Sequence, residues 1–355
     1  GSHVYTSQQT GSTLAITGNV DIDITGSSDN LSARLGGNGS VTVGGNVTFD
    51  QAGTGTTSQG YIGTNTDGSV SITGTTTITN SGAGTTKRFY GGYQGDVTFG
   101  GTLTVTNSAS ATNSECYFND QAASSNTYNG NIVMEVTDAS CDGIRFGQST
   151  GSGTLAATLT VTVGGGGFIA GDCRFRNFTQ VGATAQTVIC TGTARIYNYD
   201  SNWGGNVDFR APRMLTRGTT YSGTAILEKT GGVGDDASVG GNSFVGDATL
   251  TNSGSGNYFL MGNGSPDTFG ANLSINNTGD DHMYIAYNSA GNTVAGDVTI
   301  THSTSGTSST IDLATNSAST LAITGNVTAS VTSTAATATL YLANAGTMTV
   351  GGDID

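Results

Sequence analysis

One phrase recurs along this chain and restricts its fold more than any other feature: Gly, then Asn, Asp or Thr, then an apolar, a polar and an apolar residue. It reads Gly18-Asn19-Val20-Asp21-Ile22, Gly45-Asn46-Val47-Thr48-Phe49, Gly74-Thr75-Thr76-Thr77-Ile78, Gly101-Thr102-Leu103-Thr104-Val105 and Gly130-Asn131-Ile132-Val133-Met134. After Ala157-Thr158-Leu159-Thr160-Val161 it becomes irregular. It resumes at Gly246-Asp247-Ala248-Thr249-Leu250, Ala271-Asn272-Leu273-Ser274-Ile275, Gly296-Asp297-Val298-Thr299-Ile300 and Gly325-Asn326-Val327-Thr328. The early spacings are 27, 29, 27, 29 and 27, and the late ones 25, 25, 29 and 27. The nonapeptide Ser-Thr-Leu-Ala-Ile-Thr-Gly-Asn-Val stands identically at 12–20 and 319–327. Self-similarity at a fixed period of this size is the signature of a repeat architecture.

Each period holds three short apolar segments separated by Gly, Asn, Ser and Thr, such as Ala248-Thr249-Leu250, Tyr258-Phe259-Leu260 and Thr268-Phe269. Alternation over three to five residues predicts strands, and Gly and Asn supply the turns. Stacking such coils buries the inward side chains and pairs each strand with the coils above and below. The fold class is therefore all-β: a single-stranded parallel β-helix of about 13 coils of about 28 residues, three short strands per coil, right-handed by the general crossover preference. A propeller blade needs more residues, and leucine-rich spacing is absent. With 57 Gly, 2 Pro and 35% hydrophobic residues in 355, a single large globular core is not expected. No stretch is long and apolar enough to be a membrane span, so no membrane insertion is expected.

In the first strand of each coil the alternation leaves an outward row: Asp21, Thr48, Thr77, Thr104, Val133, Thr160, Thr249, Ser274, Thr299 and Thr328. β-branched polar residues suit an exposed strand. A flat Thr row also raises ice binding as an alternative function, interrupted at Asp21, Val133, Arg174, Arg195 and Ile226.

Residues 1–3 read as a tag remnant and 4–355 as one continuous β-helix fragment, with an irregular or inserted segment at about 164–241. There the phrases beginning at Gly171, Gly192 and Gly205 crowd together at intervals of 21 and 13. The segment holds the only Trp, Trp203, with Arg174, Arg176, Arg195, Arg210, Arg213 and Arg217. On the alternation, Arg174 and Arg195 take Thr positions in the outward row. With Tyr197 and Tyr199 they compose a candidate surface for a glycan or anionic polymer, since aromatic faces stack on sugars and guanidinium forks hold acids. The competing reading pairs these arginines with Asp172, Asp200, Asp208 and Glu228 in a purely structural role.

Cys173 and Cys190 fall at inward positions and read as buried apolar residues. Cys116 and Cys141 lie in second-strand regions of adjacent coils, so a disulfide between them depends on register. No paired His/Cys spacing suggests zinc, and His282 and His302 read as isolated surface residues. Gly-Asp phrases at Asp96, Asp172, Asp247, Asp297 and Asp353, with Asp235-Asp236 and Asp280-Asp281, offer hard oxygen ligands, so Ca²⁺ is the one cofactor left open. Turn capping is the simpler role for them. A polysaccharide-degrading enzyme on this fold would need clustered carboxylates, and the only glutamates are Glu115, Glu135 and Glu228. No catalytic residue is assigned.

The phrases at 12–20, Val-Thr-Val-Gly-Gly-Asn-Val-Thr-Phe at 41–49 and Thr-Met-Thr-Val-Gly-Gly-Asp at 347–353 resemble the Gly/Thr/Asn-rich β-helix repeats of giant secreted bacterial surface proteins. Filamentous-haemagglutinin-like adhesins and the filamentous appendage proteins of gliding bacteria are of this kind. The resemblance implies extracellular display at a bacterial cell surface, a stalk or adhesive role, and no cofactor. Residues 351–355 restart the repeat, so the expected partners begin with further coils of the same long chain, then a homo-oligomer or filament. The net charge of −14 argues against nucleic acid.

Overall fold

The computed structural model describes residues 2–121, 124–232, 234, 238–334 and 337–355. Asp235 and Asp236 lie outside the described residues. No helix occurs among the described residues. The chain divides into two compact units, Gly1–Ala194 and Arg195–Asp355, each a parallel β-solenoid, with about 13 turns of about 27 residues counted along the chain.

In the Gly1–Ala194 unit the first strands of the coils are Val20–Ile24, Val47–Gln51, Thr76–Asn80, Leu103–Asn107, Ile132–Val136 and Val161–Phe168, paired in that order. The second strands include Asn30–Leu35, Thr57–Ile62, Gly84–Gly91, Ala111–Phe118, Gly143–Phe146 and Asp172–Arg176. The third run from Thr13–Ile16 through Ser40–Val43, Ser69–Ile72, Asp96–Phe99, Ser125–Tyr128 and Ser152–Leu155 to Phe178–Gln180. The Arg195–Asp355 unit repeats the scheme, with first strands Val207–Ala211, Ala225–Lys229, Ala248–Asn252, Leu273–Asn277, Val298–His302 and Val327–Val331.

Three local devices make the coils. The repeat's Gly brings adjacent coils close, for a Cβ on Gly130 would stand 2.1 Å from the carbonyl of Gly101. The Asn or Asp that follows bridges coils: Asn19, Asn46, Asn206, Asp247, Asn272, Asp297 and Asn326 each accept, through Oδ1, the backbone N–H of the equivalent residue one coil on, at 2.7–3.0 Å. The chain then turns from second to third strand at a single left-handed residue, for example Gly36, Gly63, Gly92 and Asn119 in the first unit and Ala286, Ala314 and Ala343 in the second.

Inside, equivalent residues stack coil on coil. Phe118, Phe146 and Phe175 lie face to face at 5.0 and 5.6 Å, and Tyr221, Phe244 and Phe269 at 4.9 and 4.7 Å. Burial of these rings, together with the Val, Ile and Leu side chains of the same interior, stabilises the coils. One inward column is polar and fully buried: Gln51, Asn80 and Asn107 in the first unit, and Lys229, Asn252, Asn277 and His302 in the second. Its amides donate across the corner to carbonyls of the following second strand, Gln51 to Ser58 at 2.9 Å and Asn107 to Ser114 at 3.0 Å. Buried corners need such partners, because an unsatisfied carbonyl costs about 1–3 kcal/mol. His302, read as a surface residue, belongs to this column. Its Nε2 meets Ser309 Oγ at 2.5 Å, and burial lowers its pKa.

The outward Thr row differs from the sequence reading at Thr160, and at Arg174 and Arg195, which lie in second strands. Asp21, Thr48, Thr77, Thr104 and Val133 are in register, but their next neighbour is Thr162. Thr160 stands at the corner, where its N–H donates to Asn131 Oδ1 at 3.0 Å.

Candidate ligand-binding surfaces

Arg174 is not in that Thr row. It lies in the second strand Asp172–Arg176, opposite Arg145, and Arg195 likewise opens the second strand Arg195–Tyr199. Gly171 and Gly192 take positive φ at corners before second strands, so they imitate the phrase that elsewhere opens first strands. Between 195 and 229 equivalent residues recur every 18 positions: Arg195 pairs with Arg213, Asn202 with Thr220 and Val207 with Ala225. These are coils with their loops stripped.

The residues expected to form a sugar platform there are placed otherwise. Trp203 is fully buried, its Nε1 donating to Asn198 Oδ1 at 3.2 Å and its ring edge-on to Phe209 at 5.0 Å. Tyr197 is 8% exposed. Arg210 is bidentate to Asp208 at 2.7 and 3.0 Å and also meets Glu228 at 3.1 Å. Arg217 pairs with Asp200 at 3.1 Å and covers the Tyr199 ring at 4.9 Å, while Arg195 covers Tyr197 at 5.6 Å. Arg213 is half-buried beside Arg195 in the ladder. In the first unit Arg174 pairs with Asp172 at 3.1 Å, and Arg176 donates to the Gln148 carbonyl at 2.7 Å.

The arrangement that sequence reasoning missed lies on the second strands of the first unit. Tyr5, Arg34, Tyr61, Tyr90, Tyr117, Arg145 and Arg174 form one outward column in direct register. The rings of Tyr61, Tyr90 and Tyr117 stack at 4.9 and 5.2 Å. Arginines cap the stack: Arg34 lies 5.0 Å from the Tyr61 centroid and Arg145 5.5 Å from that of Tyr117. Tyr93 stands edge-on to Tyr61 and Tyr90. Burial raises the pKa of all three stacked phenols. A second column, two residues earlier, neutralises most of the guanidinium charge. Glu115 bridges Arg88 at 3.2 Å and Arg145 at 2.6 Å, and Asp172 bridges Arg145 at 2.9 Å and Arg174 at 3.1 Å. The spacings 27, 29, 27, 28 and 29 from Arg34 to Arg174 match the repeat period, and that was the signal available in the sequence.

The third strands carry hydroxyl columns. Thr42, Ser71, Thr98, Thr127, Thr154 and Thr179 are in register, and beside them Ser40 meets Ser69 at 3.1 Å and Ser125 meets Ser152 at 3.4 Å.

Cys116 and Cys141 are free, as are Cys173 and Cys190, and all four are buried. Cys116 pairs with Ile144, which puts Cys141 three residues out of step, and the Cys141 thiol turns to the carbonyls of Asn107 and Ala109. Burial raises the pKa of both Cys116 and Cys141. Thiol titration with an aromatic disulfide reagent is therefore expected to find no fast-reacting cysteine in the native protein and four after denaturation. Two fewer in the denatured, unreduced protein would restore the disulfide.

Among the Asp residues considered for Ca²⁺, Asp247 and Asp297 cap the next coil as described, and Asp96 accepts the Ser125 N–H at 2.8 Å. Asp280 accepts from the Thr304 hydroxyl at 3.2 Å, and Asp281 from the His282 N–H at 2.6 Å. Among the described residues, no three His, Cys, Asp or Glu side chains converge as a metal site. Comparison with protein-family models, curated proteins and solved structures returned no significant match.

Proposed function

We propose that this chain is a structural and adhesive segment of a large extracellular bacterial surface protein, serving cell-surface display, attachment or filament formation. The observation that supports it is the in-register repetition of outward side chains. Successive coils of the Gly1–Ala194 unit offer rows of Thr, Ser and Tyr/Arg positions about 4.8 Å apart. Such a surface suits many weak contacts with a repeating polymer, where avidity replaces a deep pocket. The chain has no catalytic role in this reading. Its partners in this reading are further coils of the same chain, copies of it in a filament, and a surface glycan or anionic polymer. A glycan and extracellular-polymer array tests it. Binding is expected to strengthen with polymer length, and a folded protein that retains none of the polymers would sink the adhesive half.

The hydroxyl columns favour one second reading, ice binding. Thr77 and Thr79, Thr104 and Thr106, Thr249 and Thr251, and Thr299 and Thr301 complete Thr-x-Thr pairs on first strands, and the third strands add the columns at Ser40 and Thr42 onward. Thermal hysteresis measured at high protein concentration decides it: a zero value removes this reading and leaves the first.

A further inference from the structure

Arg34 differs from the other arginines on the second strands of this unit. Arg88, Arg145 and Arg174 each face Glu115 or Asp172. Arg34 has no acidic partner among the described residues, although the chain carries a charge of −14. Its guanidinium is instead sandwiched between two rings, 4.8 Å from the Tyr5 centroid and 5.0 Å from that of Tyr61. Its Nε is buried and makes no hydrogen bond. Ring stacking holds the fork's plane while leaving its N–H edge unused, and a planar, pre-oriented fork is the group that recognises carboxylates bidentately.

Arg34 also lines a cavity of about 200 Å³, together with Tyr61, Thr64, Asn65 and Tyr93. The Asn65 amide and the Tyr93 hydroxyl have no hydrogen-bond partner among the described residues, whereas Thr64 is committed to the Gly36 carbonyl at 2.8 Å. At about 30 Å³ per water, the space holds roughly six or seven waters, more than an inorganic anion needs and enough for one pyranose ring. The acidic surroundings disfavour a dense polyanion, so a ligand with one carboxylate per contact fits best.

We propose that this cavity binds a single carboxylated sugar residue of a surface glycan. Arg34 holds the carboxylate, Asn65 and Tyr93 take ring hydroxyls, and the Tyr61 edge forms one wall. This deepens the adhesive reading above and can fail separately from it.

The test is calorimetric titration of the whole chain with methyl galacturonide, methyl glucuronide and N-acetylneuraminic acid, against methyl galactoside and sodium sulfate. At least one acid sugar should bind saturably, with the neutral galactoside at least tenfold weaker. Arg34→Gln, which keeps a planar group between the rings, should lose on the order of tenfold to a hundredfold in affinity. Arg34→Lys, which keeps charge without the fork, should fall between, and Tyr93→Ala should weaken binding with the guanidinium sandwich intact. No binding by any of the three acids, equal binding by Arg34→Gln, or sulfate binding as tightly as the sugars would each overturn the proposal. If the acid sugars fail while other polymers bind on the array, the Arg34 site is lost and the adhesive reading stands.

Discussion

Truncating Trp203 to Ala should destabilise the Arg195–Asp355 unit by about 3–5 kcal/mol, the range for removing a large buried aromatic. Trp203 is fully buried, packs edge-on against Phe209 at 5.0 Å, and satisfies Asn198 Oδ1 through its indole N–H at 3.2 Å. It sits among the 18-residue coils, where no loop can collapse into the void. The substitution therefore leaves a cavity and takes the indole donor from a buried amide oxygen. Chemical denaturation followed by far-ultraviolet circular dichroism measures the loss. A change below about 1 kcal/mol would return Trp203 to the surface, where the sequence reading had placed it as a stacking platform.

The second large effect depends on pH. Asp267 is buried in a ladder otherwise built of Asn: its Oδ1 accepts from the backbone N–H and the side-chain amide of Asn242, both at 2.8 Å, and its own N–H donates to Asn292 Oδ1 at 2.8 Å. Its Oδ2 is buried without a partner. Burial pushes the carboxyl up to about 6, with the Asn242 bonds opposing. Between the ordinary value of 3.8 and about 6 the native state holds the proton that the unfolded chain has released, so stability falls as pH rises through this window. At about 1.4 kcal/mol per unit, the loss by pH 7 is about 3 kcal/mol. Asp267→Asn keeps the Oδ1 acceptor and removes the titration. The variant should match the wild type near pH 4 and exceed it by about 3 kcal/mol near pH 7.5. A difference that stays flat with pH, or shrinks as pH rises, would refute the assignment.

Much of the architecture was legible because a solenoid writes its period into the sequence. Each Gly-Asn or Gly-Asp phrase encodes a close approach and an inter-coil cap, so the same residues had to recur wherever a first strand begins. Legibility failed where two kinds of corner look alike. Gly171 and Gly192 precede second strands, yet they carry the same Gly, polar, apolar order, which made 18-residue coils read as broken 28-residue ones. The misplacement moved Arg174 and Arg195 into the wrong row and hid the column that Arg174 shares with Tyr61, Tyr90 and Tyr117. Asp208 and Glu228, by contrast, were identifiable as arginine partners because they stand in the same or the adjacent first strand as Arg210.

Period, strand count per coil and the apolar and polar alternation thus belong to the sequence alone, since each follows from local backbone chemistry repeated at fixed spacing. Register between coils belongs to the tertiary structure. Which ring stacks on which guanidinium, which arginine is left without an acid, and whether two cysteines meet all turn on a shift of a few residues between coils. Corner length sets that shift, and packing of the inward column decides it.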